Sequence, residues 1–448
     1  MNNKKNVEEL LKEAYQPAKD AMKLHPYYRG KIEVVPKCII RDFNDFAIWY
    51  TPGVAEPCKD IYENPEKVFE HTNKANTIAI VTDGTRVLGL GNIGPAAGMP
   101  VMEGKAILFK YLGGVDAFPI CLGTDDPQAI IRTVKLLQPT FGGFNLEDIA
   151  KPKCFHILDT LRRDCNVPVW HDDQQGTAAV TVAGMFNALK VVGKKIDSID
   201  IVLNGAGASN VAIERLLVTA GADPGRIIMV DSHGTLHKGR TELKYKEPVK
   251  WRLCERTNAR QLQGDLTDAL KGADALVSLS ASGPDVISKE QIKVMGEDSI
   301  VFVCANPIPE IWPWEAKEAG AAIVATGRSD FPNQVNNSLG FPGIFRGTLD
   351  VMATTITDEM CIAAAEELAK TAEDKGLSDE YLLPTMEDWE VFPREAVAVG
   401  QKAIEQGVAR VKLTPDEAFK MAEEKIKRAR AETQMLMREG FIPPVPED

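Results

Sequence analysis

An apolar run, Ile199–Leu203, leads into Asn204-Gly205-Ala206-Gly207-Ala208-Ser209-Asn210 and then into a stretch rich in Ala and Leu. Strand, glycine turn and helix in that order suit a dinucleotide pyrophosphate. Gly205 permits the tight turn, Gly207 lets the pyrophosphate approach the backbone, and the helix N-terminus supplies partial positive charge. Asn210 stands where this fingerprint has its third glycine. A second strand over Ile227–Val230 ends at Asp231, 26 residues beyond Gly205. That acid is placed to accept from both ribose hydroxyls, which favours NAD over NADP because it would repel a 2′-phosphate. The nearby His233 offers a partial offset by contacting such a phosphate.

A second chemistry sits outside the turn. Tyr50 follows Trp49 and precedes Thr51-Pro52-Gly53, a turn that presents the phenol. The run Val81 to Gly91 contains Asp83 and Arg86, and Lys105 follows in Met102-Glu103-Gly104-Lys105-Ala106. Two acid pairs come next: Glu147-Asp148, and Asp172-Asp173 within His171-Asp172-Asp173-Gln174-Gln175-Gly176-Thr177. Glu147-Asp148 alone reads as a solvated surface pair. Asp172-Asp173 follow an apolar strand, at the carboxyl end where α/β proteins place ligands. Three carboxylates with no convergent cysteine or histidine set suit a hard divalent cation, Mg2+ or Mn2+. With no H-x-x-x-H spacing, His171 reads as packing or as support behind the ligands.

The elements that must position these groups are short β-branched runs alternating with longer amphipathic ones. Strands are expected at Thr77–Val81, Val115–Cys121, Val167–Trp170, Ile199–Leu203, Arg226–Val230, Ala275–Leu279, Ile300–Val303 and Ala322–Ala325. Helices are expected at Met102–Tyr111, Gln128–Leu137, Gly176–Val191, Ala208–Ala220 and Ala259–Leu270, after a helical start in which Val7, Leu10, Leu11, Ala14 and Ala18 share a face. The alternation predicts α/β architecture: a Rossmann-type, doubly wound parallel sheet domain, an N-terminal α/β domain, and a helical C-terminal segment beyond Gly343 divided by Pro384, Pro393 and Pro415. A boundary near Pro168–Asp173 gives units over 1–172, 173–400 and 401–448. The closing residues from Phe441, with three prolines, read as a loose tail.

Composition excludes several function classes. Lys and Arg number 52 against 64 Asp and Glu, so the net charge of −12 disfavours nucleic acid and anionic membrane. No apolar run reaches the ~18 residues of a bilayer span, and Met1 to Lys31 lacks the apolar stretch of a signal peptide. The eight cysteines form no Cys-x-x-Cys pair, which argues against a zinc ribbon and a disulfide scaffold. A cytoplasmic protein is the expectation.

Taken together, Tyr50-Thr51-Pro52-Gly53-Val54-Ala55, the run Thr82 to Gly94, Met102-Glu103-Gly104-Lys105, His171 to Thr177, Ala325-Thr326-Gly327-Arg328-Ser329-Asp330 and Asn333-Gln334-Val335-Asn336-Asn337 resemble the malic enzyme family in its short prokaryotic form. The resemblance runs from about Tyr28 to Val399. It implies Tyr50 as general acid, Lys105 as general base, and Asp172 as the acid tuning Lys105. It implies Glu147, Asp148 and Asp173 as ligands of Mg2+ or Mn2+. Arg86 matches a residue binding a malate carboxylate, Asn306 and Asn337 match substrate- or nicotinamide-contacting asparagines, and Ser280 lies in a segment lining the nucleotide, with Gly205 to Asn210 and Asp231. The implied reaction is NAD-dependent oxidative decarboxylation of (S)-malate to pyruvate and CO2, in a homodimer or larger homo-oligomer. NADP as coenzyme, malolactic chemistry, a silent nucleotide-binding protein and an amino-acid dehydrogenase are the alternatives. Asn210 departs from the pattern and puts the closeness of helix–strand packing at issue. The segment around Thr371–Pro393 reads as an insertion without an assigned role.

Overall fold

A computed structural model describes residues 7–446, with side chains from Gln16 onward. Of the face expected for the first helix, Val7, Leu10, Leu11 and Ala14 have side chains outside the described residues; the helix itself spans Val7–Tyr28. Among the described residues, ten strands form two sheets. The first holds β1 (Thr77–Thr82), β2 (Asp116–Cys121), β3 (Gly143–Leu146) and β4 (Val169–His171) in the order β2-β1-β3-β4, all parallel. The second holds β5 (Ile201–Asn204), β6 (Ile227–Asp231), β7 (Gly234–Thr235), β8 (Ala275–Ser278), β9 (Ile300–Val303) and β10 (Ile323–Thr326). Its order is β10-β9-β8-β5-β6-β7, parallel except for the short β7 edge.

The central strands of both sheets are apolar on both faces. Ile78, Ala79, Ile80, Leu203, Val277 and Phe302 are all fully buried. Continuous apolar runs of this kind belong to parallel sheets covered on both sides. In the second sheet the chain leaves β5 toward β6 on one side and toward β8 on the other. The crevice between the carboxyl ends of β5 and β8 is therefore the topological switch point, where such sheets take ligands. The glycine turn lies there.

All eight expected strands form, and two more appear. β3 escapes the sequence pattern because Gly143-Phe144-Asn145-Leu146 is short and mixes glycine and asparagine with its apolar residues. The helix expected over Ala259–Leu270 is confined to Leu266–Leu270, capped by Asp265. The helix before it is Pro248–Arg256. Beyond Gly343 the structure is helical, at Phe341–Asp350, Asp358–Glu373, Val391–Glu405 and Pro415–Arg438. Pro393 lies in the first turn of its helix and divides nothing, because that position has no intrahelical N–H to lose. The Phe441 tail is tied rather than loose: Tyr28 and Tyr27 hydroxyls donate to the carbonyls of Pro443 and Pro444 at 3.0 and 3.2 Å. Within the expected insertion, Leu382 and Leu383 are buried, and the Leu382 carbonyl accepts from Asn187 Nδ2 at 2.8 Å.

The helix Pro95–Gly113 joins the parts. Phe109 packs on Phe341 and Phe345 with ring centroids 4.6 and 5.2 Å apart, and Trp170 lies 6.2 Å from Phe345. The fully buried Arg346 donates to Asn76 Oδ1 at 2.6 Å and pairs with Asp350 at 2.8 Å. On the other side, Ile426 of the last long helix meets Leu112 and Phe392.

Glu395 is an exception to the apolar core. It is completely buried, and neither carboxylate oxygen has a hydrogen-bond partner among the described residues. Burial, with added repulsion from Glu367, pushes its carboxyl well above the ordinary value of 4.5. The folded chain thus keeps a proton that the unfolded chain releases, so this group costs stability as pH rises above the unfolded value. Glu395→Gln is expected to stabilise the protein by about 1–3 kcal/mol at pH 8. Urea unfolding across pH should show the gain shrinking toward pH 5; an equal gain at both ends would contradict this.

Candidate active site

The parallel pairing of β3 with β4 assembles the acids. Leu146 lies opposite His171, so Glu147-Asp148 and Asp172-Asp173 leave the sheet side by side at its carboxyl edge. Asp148 takes a left-handed φ of 56°, a turn that asparagine and aspartate tolerate better than most residues. Asp172 to Gly176 form a turn of π-helix before the helix Thr177–Val192. One oxygen from each of Glu147, Asp148 and Asp173 lies within 4.8 Å of the others. Asp148 Oδ2 is buried with no partner among the described residues, and the Asp148 N–H donates to Asp173 Oδ2 at 2.9 Å. Asn145 Nδ2 orients Glu147 at 2.9 Å.

Lys105 reaches this cluster from the helix Pro95–Gly113. Its Nζ lies 2.5 Å from Asp172 Oδ2, 3.2 Å from Glu147 Oε1 and 4.3 Å from the centroid of the Phe341 ring. Asp172 is fully buried and also accepts from Asn337 Nδ2 at 2.6 Å and Trp170 Nε1 at 3.2 Å. Burial opposes the charge on Lys105, but Asp172 and Glu147 outweigh it and raise its pKa. Catalysis by a neutral amine requires the opposite direction, so the acids alone do not prepare Lys105 as a base. Burial raises Glu147 well above its usual range and Asp148 to about 7, with Asp173 repelling both. Four carboxylates thus face one ammonium, and an oxygen-lined pocket with this excess of negative charge fits a hard divalent cation.

His171 is fully buried behind the acids, its Nδ1 3.6 Å from Asp173 Oδ2, and burial lowers its pKa. Arg86 lies on the adjoining loop. Its N–H donates to the Asp148 carbonyl at 3.0 Å, and its guanidinium is held by the Leu88 carbonyl at 2.9 Å. Asn306 follows β9, and its carbonyl lies 3.8 Å from where a Cβ on Gly89 would stand, so it faces the Arg86 loop. Tyr50 does not join the cluster: it is 70% exposed on the segment before β1.

The glycine turn adjoins the acids, with Ser209 Oγ donating to the Asp173 carbonyl at 2.8 Å. Gly205 has φ +100°, and a Cβ there would stand 2.6 Å from the Leu279 carbonyl oxygen. A Cβ on Gly207, just before Ala208, would meet nothing within 4 Å, leaving room for a pyrophosphate. Asn210 does not loosen the turn; its Nδ2 donates to the carbonyls of Asn204 and Gly205, both at 2.8 Å. Ser280 is bridged to Asn204 at 3.2 Å. Glu310, which sequence reasoning passed over, accepts from Ser278 Oγ and from the N–H groups of Ser280 and Ala305 at 2.8–3.1 Å, joining the loops after β8 and β9. Nothing in its Pro-Glu context signals this. Phe341 and Asn145 were likewise illegible, since each acts only through a distant partner.

At the end of β6, Asp231 is already engaged. Arg240 Nη1 and the His233 N–H donate to Oδ1 at 2.7 and 2.9 Å, and Lys250 Nζ donates to Oδ2 at 2.9 Å. Burial works against its charge, but these donors hold the carboxyl at about 2. The His233 side chain is exposed.

A doubly wound sheet with its switch point beside a largely buried cluster of three carboxylates defines a dinucleotide-binding class of protein with a cluster suited to a divalent cation. The family model described as malic enzyme, N-terminal domain, matches residues 29–162, and that described as malic enzyme, NAD binding domain, matches 174–404. The chain belongs to the malic enzyme family. It is 52% identical over 398 residues to the bifunctional malic/malolactic enzyme of Bacillus subtilis (strain 168), covering 89% of this chain and 96% of that one. To the NAD-dependent malic enzyme of Geobacillus stearothermophilus it is 48% identical, covering 85% and 78%. Relatives named as NADP-dependent also match. The crystal structure of Entamoeba histolytica malic enzyme superposes with a TM-score of 0.95 at 49% identity, covering 100% of this chain and 94% of that one.

Mn2+ at about 100 times its Kd is expected to stabilise the fold by about 2.7 kcal/mol. Asp148→Asn keeps the left-handed turn and removes one repelling charge. The metal-free variant should melt no lower than the parent, and its Mn2+-induced rise in Tm should largely vanish. An undiminished rise would remove Asp148 from the ligand set.

Proposed function

We propose that this chain oxidises (S)-malate at C2 and releases pyruvate and CO2, with NAD as coenzyme. The observation carrying this reading is the convergence of Lys105, Asp172 and the carboxylates Glu147, Asp148 and Asp173 beside the glycine turn, tied there by Ser209. Mg2+ or Mn2+ held by the three carboxylates supplies Lewis-acid polarisation when bound, and NAD at the turn supplies the hydride acceptor. The chain's own groups do the rest. Arg86 pairs with a malate carboxylate, and Asn306 and Asn337 orient substrate and nicotinamide. Lys105 is the group that takes the C2 hydroxyl proton. Its 2.5 Å contact with Asp172 is a path along which the ammonium first sheds its own proton. Once the remote carboxylate has left as CO2, the enolate needs a proton at C3, and Tyr50 is the acid assigned to deliver it. In this reading 1–172 forms the substrate and metal unit, 173–400 the nucleotide unit and 401–448 the C-terminal segment. Among the described residues no helix is long and apolar enough to cross a membrane.

NADP is a second reading with one observation in its favour: Arg240 and Lys250 already flank Asp231 and offset its repulsion of a 2′-phosphate. Comparing the two coenzymes at equal concentration separates the readings, and the absence of net NADH formation would indicate malolactic chemistry.

Lys105→Ala is expected to lower malate oxidation by 100-fold or more, as loss of a general base does, while NAD binding stays within about twofold. Tyr50→Phe should impair pyruvate formation and spare reduction of added oxaloacetate. Coenzyme titration by fluorescence and both rate assays check this; full activity in both variants would overturn the roles.

A further inference from the structure

One buried carboxylate ties together the carboxyl ends of three neighbouring strands, β5, β8 and β9. Glu310 is fully buried, and both of its oxygens are engaged. Oε1 accepts from Ser278 Oγ at 2.8 Å and from the Ser280 N–H at 3.1 Å, and Oε2 accepts from the Ala305 N–H at 3.1 Å. Ser278 carries the tie to the third strand, because its Oγ accepts from Asn204 Nδ2 at 2.9 Å. Asn204 ends β5 and precedes Gly205 of the glycine turn. Each Glu310 oxygen thus meets a backbone donor, an arrangement that an ionised carboxylate satisfies at both ends. An amide of the same shape would turn its NH2 toward either the Ser280 or the Ala305 N–H and release that loop.

A second charged group grips the same segment from the next strand. Arg328, just beyond β10, is held in a fork on Asp330 at 2.8 and 2.6 Å, and its Nη1 donates to the Pro307 carbonyl at 3.1 Å. Its side chain is also buried, and its guanidinium lies 5.4 Å from the centroid of the Phe331 ring. Asn306 therefore stands between two anchored residues, Ala305 on Glu310 and Pro307 on Arg328. The Asn306 side chain abuts Gly327, where a Cβ would stand 2.8 Å from Nδ2, and its carbonyl faces Gly89 on the loop that holds Arg86. Both charged groups are committed to these bonds, so any effect they have on the reaction passes through Asn306.

We infer that Glu310 and Arg328 are positioning residues for the oxidation step, fixing Asn306 where the loop after β9 meets the Arg86 loop. The inference rests on the reading of Asn306 as a residue that orients substrate and nicotinamide during malate oxidation. A loosened Asn306 segment would leave malate and coenzyme bound but misaligned, and a misplacement of about 1 Å lowers the rate by roughly 100-fold.

The test is a double-mutant cycle in the full chain between Glu310→Gln and Asn306→Ala. Each single variant is expected to lower kcat for malate oxidation by about 10- to 100-fold, while the Kd for NAD, set mainly at the glycine turn, stays within about threefold. In the Asn306→Ala background, Glu310→Gln should cost less than about a further twofold, because the group it acts through is gone. Amide hydrogen exchange of the coenzyme-free protein reads the tie without turnover: the segment carrying Ser280 or the one carrying Ala305 should exchange about tenfold faster in Glu310→Gln. If the two kcat losses multiply, or exchange is unchanged, the inference falls and the reading of malate oxidation stands. If Asn306→Ala keeps the wild-type kcat, the role of Asn306 falls and the inference with it. A wild-type chain that does not oxidise malate overturns the reading of the site itself. Should Glu310→Gln fail to fold, Arg328→Lys, which keeps the charge and loses the fork, takes its place in the kinetic cycle with the same expected outcomes.

Discussion

One ammonium buried among four carboxylates governs this structure. Lys105 is buried, pairing directly with Glu147 and Asp172, while Asp148 and Asp173 lie beside that pair and Arg86 offsets Asp148 from the adjoining loop. Such a group of charges is stable only where each is oriented by hydrogen bonds and the surplus is met from outside. The surrounding architecture supplies the orientation. Trp170 and Asn337 hold Asp172, Asn145 holds Glu147, and the face of Phe341 lies against the ammonium. A divalent cation would meet this surplus better than a neutral ligand would.

That requirement explains why the two sheets meet as they do. The acids need the carboxyl edge of the first sheet, and a dinucleotide needs the switch point of the second. Ser209 joins the two edges by a single hydrogen bond. The aromatic layer of Phe109, Phe341, Phe345 and Trp170 lies behind the joint, with Arg346 and Asp350 paired beneath it. The C-terminal helices brace the helix carrying Lys105 from its far side. A shift of one lobe against the other would move Asn337, Phe341 and the glycine turn relative to the charges, so the rigidity of this core is part of the site's chemistry.

Legibility varied with the range of the interaction. The glycine turn and its strand were readable because their signal is contiguous: an apolar run, Gly205 and Gly207, then a helix. The eight apolar strands were readable for the same reason. β3 was not, since Gly143 and Asn145 mask a strand whose burial comes from its neighbours rather than from its own composition. The helix over Ala259–Leu270 was over-extended because Ala259 and Leu262 suit a helix, yet backbone bonds at Asn258, Ala259 and Gln261 hold a turn there. Asn210 looked like a weakened fingerprint, and only the fold shows its amide tying two carbonyls of the turn.

By itself, the sequence determined the fold class, the identity of the acids, lysine and tyrosine available for chemistry, and the family, because residue type and local spacing are properties of the chain alone. Tertiary structure decided which of those groups meet. It placed Glu147 beside Asp172 through the register of two strands, drew Arg240 and Lys250 onto Asp231, and left Tyr50 outside on an arm. It also set the direction of the Lys105 equilibrium, against the simplest expectation for a base. The physical reason is common to all of these. Electrostatic and hydrogen-bond energies depend on distances of a few ångströms between residues tens or hundreds of positions apart, and no local pattern encodes such distances.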